Sequence, residues 1–184
     1  IKYDSNDYEG ESHVNELIQN EEKLDDWTVI WGLQIAKHQT KQIGECDFVL
    51  VGPLGIVIIE IKGGDKHIFK PEGGFEWGTN WNALMHSNET PLQQASGNKY
   101  AIRKYLENNH RSISKIRKTI FAHGAAFPLG DLRVITSKPN IQFNNWEIWD
   151  SNSTDIKEYI TNLVHKTTEN LYKILKHYNC LLYT

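Results

Sequence analysis

Residues 45–63 read ECDFVLVGPLGIVIIEIKG, and their pattern decides the fold. Asp47 to Val51 and Ile56 to Ile61 are rich in Val, Ile and Phe, and the turn-forming Gly52-Pro53-Leu54-Gly55 separates them, which predicts two antiparallel strands. With Val51 facing Ile56 across the four-residue loop, the numbers of facing residues keep a constant sum down the ladder. Asp47 then stands opposite Glu60, and Glu45 opposite Lys62. Strand side chains alternate, so all four polar groups are expected on one face. Cys46 is expected on the other, as core filling.

Directly opposed residues in an antiparallel pair have Cβ atoms roughly 4.5 to 5.5 Å apart, and like charges there destabilise. Two readings of the acids stand open. In one they are polar residues on the wet side of a hairpin, with Lys62 paired to Glu45. In the other, Asp47, Glu60, a backbone carbonyl and waters offer a hard divalent cation an all-oxygen site suited to Mg²⁺ or Mn²⁺, and Lys62 stabilises negative charge growing on a phosphate. The run Ile56, Val57, Ile58, Ile59, Ile61 is apolar on both faces, as in a strand covered from both sides, so charges ending it are half buried and need compensation.

Flanking segments add candidates. Val14, Leu17, Ile18 and Leu24 recur at helical spacing, and Glu11, three residues before Val14, is either a further acid at the site or a favourable charge in a first helical turn. Leu92, Ala95, Lys99, Ile102 and Leu106 mark a second helix opened by Pro91. Gln94 stands near its N-terminus, as a phosphate or water ligand or as a surface glutamine. Between Lys99 and Lys118 seven basic residues face one acid, Glu107, a local excess able to meet a phosphate backbone.

The order of these motifs carries a resemblance: Gly10-Glu11 on an early helix, then ECDFVLVGPLGIVIIEIKG, then Trp81 and PLQQA, then a strand ending in Phe127-Pro128. Over about residues 8–137 the chain resembles the NERD, or nuclease-related, domain of the PD-(D/E)XK (restriction-endonuclease-like) superfamily. That resemblance implies an α/β (α+β) fold, a mixed central sheet flanked by helices. It implies Asp47 and Glu60 as metal-binding acids together with the Ile61 backbone carbonyl, Lys62 as catalytic lysine, Glu11 and Gln94 as supporting residues, and Mg²⁺- or Mn²⁺-dependent hydrolysis of DNA. It also implies a role in DNA processing or antiviral defence and a possible helicase or other domain joined to this one. One departure is that the tyrosine some relatives carry four residues after the site glutamine is here Asn98. A catalytically inactive DNA-binding module and a nuclease acting on RNA remain the alternatives.

Composition bounds the rest. A chain of 184 residues fits one domain, with the long C-terminal helix and a strand in residues 138–184 appended to the core. With 39% hydrophobic and 23% charged residues and a net charge of −3, it is expected to be soluble, with no membrane span. Two cysteines are too few for a disulfide framework and suit a reducing cytoplasm. Beginning at Ile1, the sequence is expected to be an excerpt from, or processed form of, something longer. None of the eight histidines has a zinc-ligand spacing. Nothing in the sequence speaks to oligomeric state. Trp77 and Trp81 are expected to pack beneath a loop rather than to stack on bases, and His67 and His123 have no motif behind them. Leu132 to Thr136 reads as a strand. Thr154 is the expected cap of a long helix whose apolar stripe runs from Ile156 through Tyr159, Ile160, Leu163, Leu171, Ile174 and Leu175 to Tyr178.

Overall fold

The computed structural model describes residues 5–35, 44–70, 74–110, 113–130, 132, 143–153 and 155–182, the side chains of 5–8, 23, 113 and 178–182 excepted. The hairpin forms in the expected register. Strands β2 (Gly44–Gly52) and β3 (Gly55–Ile61) pair antiparallel with Val51 opposite Ile56 and Phe48 opposite Ile59. Strand β1 (Thr28–Ile35), which no motif marked, adds antiparallel to β2 at the sheet edge, where much of it is exposed. A chain that returns from the far side of the molecule pairs parallel to β3, and it does so as β7 (Phe121–Phe127), with the short β8 (Ile148–Asp150) parallel beyond it. The order is β1-β2-β3-β7-β8. Strands β4 (Lys66–Phe69), β5 (Phe75–Gly78) and β6 (Met85–Ser87) form the small antiparallel sheet expected of the Gly- and Trp-rich middle.

Helices cover both faces of the main sheet, which is why β3 carries apolar residues without alternation. On one face α1 (Ser5–Gln19) and the first half of α4 (Ile156–Leu182) bury Val14, Ile18, Ile160 and Leu163 against Phe48, Leu50, Val57 and Ile59. On the other, α2 (Pro91–Asn109) sets Ala95, Ala101 and Ile102 on Val49, Ile58 and Phe121. The short α3 (Ile113–Lys118) follows it, and Ile116 joins the same cluster. The small sheet packs Phe75 and Trp77 on Ala125 and Phe127. This is the mixed sheet flanked by helices that the resemblance implies.

Helix α2 starts where its sequence directs. Thr90 Oγ1 accepts from the Gln93 N–H at 3.2 Å, and Gln93 Oε1 accepts from the Thr90 N–H at 2.8 Å, a reciprocal cap placed just before Pro91. The expected cap of α4, Thr154, and residues 133–136 of the expected strand lie outside the described residues. Asp155 caps that helix, accepting the Glu158 N–H on Oδ1 at 2.9 Å. The stripe of α4 divides. Ile156, Tyr159, Ile160 and Leu163 are buried, whereas Leu171, Ile174 and Leu175 are 43 to 58% exposed because the helix outruns the sheet it lies on. The side chain of Tyr178 lies outside the described residues.

Candidate active site

The hairpin opens at the end where its acids stand. The β2–β3 ladder ends at Phe48↔Ile59, while β3 continues beside β7 to Ile61↔Ala126. The Asp47 side chain takes over there: its Oδ2 accepts the Ile61 backbone N–H at 2.7 Å. One residue on, the Lys62 N–H donates to the Ala126 carbonyl at 3.0 Å, which pins the lysine to β7. The Lys62 ammonium reaches back to Glu60 Oε1 at 2.7 Å and lies 5.0 Å from the Trp77 ring centroid. Glu60 and Lys62 are 6% and 8% exposed, so this pair is a buried one.

A break in β1 and β2 produces the opening. In a regular strand Cys46, Phe48 and Leu50 share a face. Here Phe48 and Leu50 enter the α1/α4 core, whereas Cys46 packs with Val49, Ile58 and Ala95 under α2. The irregularity falls at Asp47 and at Gly32, bracketed by the pairs Trp31↔Phe48 and Leu33↔Cys46, and Gly32 has φ +67°, a left-handed conformation that favours glycine. Cys46 was expected to be core filling, and the irregularity turns it from the layer of Phe48 and Leu50 to that of Val49. It remains fully buried core filling, its thiol pushed up by burial and by the charges of Glu60 and Asp47, and therefore inert.

Burial raises the Asp47 carboxyl well above its usual range, and the neighbouring Glu60 raises it further; Lys62 and the Ile61 N–H oppose this, and Glu11 adds to it. Glu11 is thus electrostatically part of the site. It is half-buried on α1, and its Oε2 accepts from the Trp31 indole N–H at 2.5 Å. Gly10 explains how the helix comes so close: a Cβ there would lie 3.1 Å from the Gly63 Cα, directly after Lys62. Gly10→Val should separate α1 from that segment, and a displacement of the order of 1 Å costs ~10²-fold in rate, read as cleavage by a variant that still folds by circular dichroism.

The remaining expected residues are placed differently. Gln94 is half-buried in the first turn of α2, and its Nε2 donates to Ser87 Oγ on β6 at 2.9 Å; among the described residues no hydrogen bond joins it to the acids. Asn98 had been noted only as a departure. It is 3% exposed and donates from Nδ2 to the Glu45 carbonyl at 2.8 Å, tying α2 to β2 two residues before Asp47. Asn98→Ala removes this tie between α2 and β2 and should cost ~0.5 to 1.5 kcal/mol, measured by denaturant unfolding, with a loss of cleavage larger than the loss of stability alone explains. No catalytic motif points to Asn98. Its signal was a polar residue in the apolar stripe of α2.

Two residues of the basic segment have partners of their own. Lys99 meets His123 (Nζ to Nδ1, 3.3 Å), and Arg103 lies over Phe121, which pairs with Ile56 at the opposite end of β3 from Glu60. At about 3.3 Å per residue this is on the order of 13 Å along the strand. Of the two readings left open for Lys62, neither named Glu60, which its ammonium meets at 2.7 Å. His67 is a core residue stacked on Phe75, held neutral by burial, its ring pKa lowered to about 4. Burial and the adjacent Lys99 likewise lower His123 to about 4. Trp77 is buried as expected, whereas Trp81 is 61% exposed, since the β5–β6 loop carries it outward beside Lys66. A cavity of about 260 Å³ opens elsewhere, lined by Trp146, Trp149 and Tyr159.

A half-buried carboxylate that accepts the Ile61 N–H and a buried one paired with the Lys62 ammonium make an oxygen-rich, acid-excess site. Among the described residues no three His, Cys, Asp or Glu side chains group closely enough to hold a metal ion, so an ion here would draw on Asp47, Glu60 and the backbone. Among the described residues no helix is long and apolar enough to cross a membrane. No curated protein matches the chain. The NERD family, described as nuclease-related domain, matches residues 6–123, from α1 through the hairpin to His123 on β7, leaving Phe127-Pro128 and the rest of the expected span to 137 beyond it. With that match covering well over half its length, the chain belongs to the NERD family of nuclease-related domains.

Proposed function

We propose that this protein is a Mg²⁺- or Mn²⁺-dependent nuclease that hydrolyses phosphodiester bonds in DNA, and that it works in the cytoplasm in DNA processing or defence against foreign DNA. The observation that carries the reading is the meeting of Asp47, Glu60 and Lys62 at the opened end of the hairpin in a nuclease-related chain. The donor set fits the ion. Asp47 and Glu60 are hard oxygen ligands whose mutual repulsion adds to burial in raising the Asp47 carboxyl; a divalent cation relieves that repulsion, with the Ile61 carbonyl as the further ligand. When bound, the ion would supply Lewis acidity and positive charge to the scissile phosphate.

The chain's own groups do the rest. Asp47, fixed by the Ile61 N–H, and Glu60, fixed by Lys62, hold their carboxylates in place before substrate arrives. Lys62 is an ammonium with three N–H donors, one directed at Glu60, and presents positive charge to the phosphate oxygens where negative charge grows. Glu11 adds negative charge around the ion through its field at Asp47. Gln94 and the N-terminus of α2 are proposed to hold the strand's backbone in register.

A binding-only module is the second reading, favoured by the way Asp47 and Glu60 already have partners within the protein. One assay decides. The protein is incubated with supercoiled plasmid, linear DNA and RNA in Mg²⁺, Mn²⁺ or EDTA. Metal-dependent DNA cleavage supports the nuclease; retardation without cleavage supports the module; cleavage confined to RNA, or undiminished in EDTA, overturns the proposal.

A further inference from the structure

Trp31 stands beside the acids and has no part in the chemistry above. It lies on the edge strand β1 and is 39% exposed. Its ring stacks on Phe48, centroids 5.7 Å apart and planes 12° from parallel, and Phe48 is the residue after Asp47. Its indole N–H is held by Glu11 Oε2 at 2.5 Å. The ring is therefore fixed in orientation from two sides while a large part of its surface meets solvent, at a place where Glu11 and Asp47 repel any phosphate that no cation accompanies. What an oriented aromatic surface among carboxylates suits is the uncharged, flat part of a nucleotide.

We propose that Trp31 is a stacking platform for a nucleobase next to the scissile phosphate, so that the preferred substrate is a strand with unpaired bases: single-stranded, frayed or flapped DNA. This rests on the nuclease reading for the identity of the substrate, not for the stacking itself. In a duplex the bases are stacked on one another and their faces are closed to a side chain. Every base has such a face, so the platform selects strandedness rather than sequence.

The test compares binding of two labelled oligomers of equal length, one of deoxythymidine and one abasic, which carry the same phosphates and differ only in bases. A uridine oligomer in a third arm distinguishes ribose from deoxyribose strands. Wild-type protein should bind the base-bearing strands roughly tenfold more tightly than the abasic one. Trp31→Phe keeps a ring but loses the bond to Glu11 and should retain most of that preference; Trp31→Ala should lose it. A role confined to anchoring Glu11 predicts the same loss in both variants. Equal affinity of the wild type for base-bearing and abasic strands overturns the proposal, as does a preference that survives in Trp31→Ala. Loss of self-association in Trp31→Ala, with no base preference in the wild type, would assign the ring to a dimer edge and also overturn it. If base-dependent binding is present but no metal yields cleavage, the platform stands and the nuclease reading falls. If Asp47→Asn abolishes cleavage while base preference is missing, the reverse holds.

Discussion

Lys62→Ala is expected to lose cleavage and fold stability together, and Mg²⁺ or Mn²⁺ is expected to return part of the second. Removing a preorganised charge from the reacting phosphate typically costs ~10² to 10³ in rate. Stability falls with it, because the ammonium is also the 2.7 Å partner of Glu60, itself only 6% exposed and next to Asp47. Removing one member of a buried pair leaves an uncompensated charge and typically costs ~3 to 5 kcal/mol. A divalent cation at the acids replaces the missing positive charge, and at a hundredfold excess over its Kd it contributes about 2.7 kcal/mol. Urea unfolding of parent and variant in EDTA and in each metal measures both effects. A variant as stable as the parent, and indifferent to metal, would mean that Glu60 and Lys62 are not a buried pair and that the acids bind no ion.

Asp47→Asn is the complementary case, with cleavage lost, by ~10²-fold or more, and stability kept or raised. The amide oxygen still accepts the Ile61 N–H, and the charge facing Glu60 is gone. The pH dependence has a definite sign. Burial and Glu60 raise the folded-state pKa of Asp47 above its unfolded value, so the folded protein holds this proton more tightly than the unfolded chain. Stability of the parent therefore falls as pH rises from the unfolded pKa, near 4, through the folded one, and the loss is complete above it. The Asn variant lacks that slope, so its advantage should be absent near pH 4 and largest in neutral or alkaline buffer containing EDTA. A variant less stable than the parent at pH 8 would show that the Asp47 charge stabilises the fold. Asp47→Ala is expected to differ from Asp47→Asn. It leaves the Ile61 N–H without its acceptor, at a cost of ~1 to 3 kcal/mol that offsets the relief of repulsion.

Much of the architecture was legible because it follows from local rules. The turn at Gly52-Pro53-Leu54-Gly55 and the period of two set the hairpin register, and the Thr90/Pro91 start and helical spacing set α2. Strand β1 was missed because its residues are largely exposed and its alternation is broken at Gly32. The position of the basic segment was not legible for a different reason: charge excess is a property of sequence, whereas its distance from the acids depends on the direction in which α2 crosses the sheet. The partners of Gln94 and Asn98 were illegible on the same ground. A helix turn separates them, and only the packing of α2 on β2 decides that Asn98 reaches Glu45 while Gln94 turns to Ser87.

By itself the sequence determined the hairpin and its register, with an acid on one strand and E-x-K on the next, because turn length and pleat permit one pairing. Tertiary structure decided how those groups are held. Glu60 is the partner of Lys62, Asp47 replaces a ladder bond to Ile61, and Glu11 arrives through Gly10. Each depends on atoms from elements distant in sequence meeting within a few ångströms, which local periodicity does not encode.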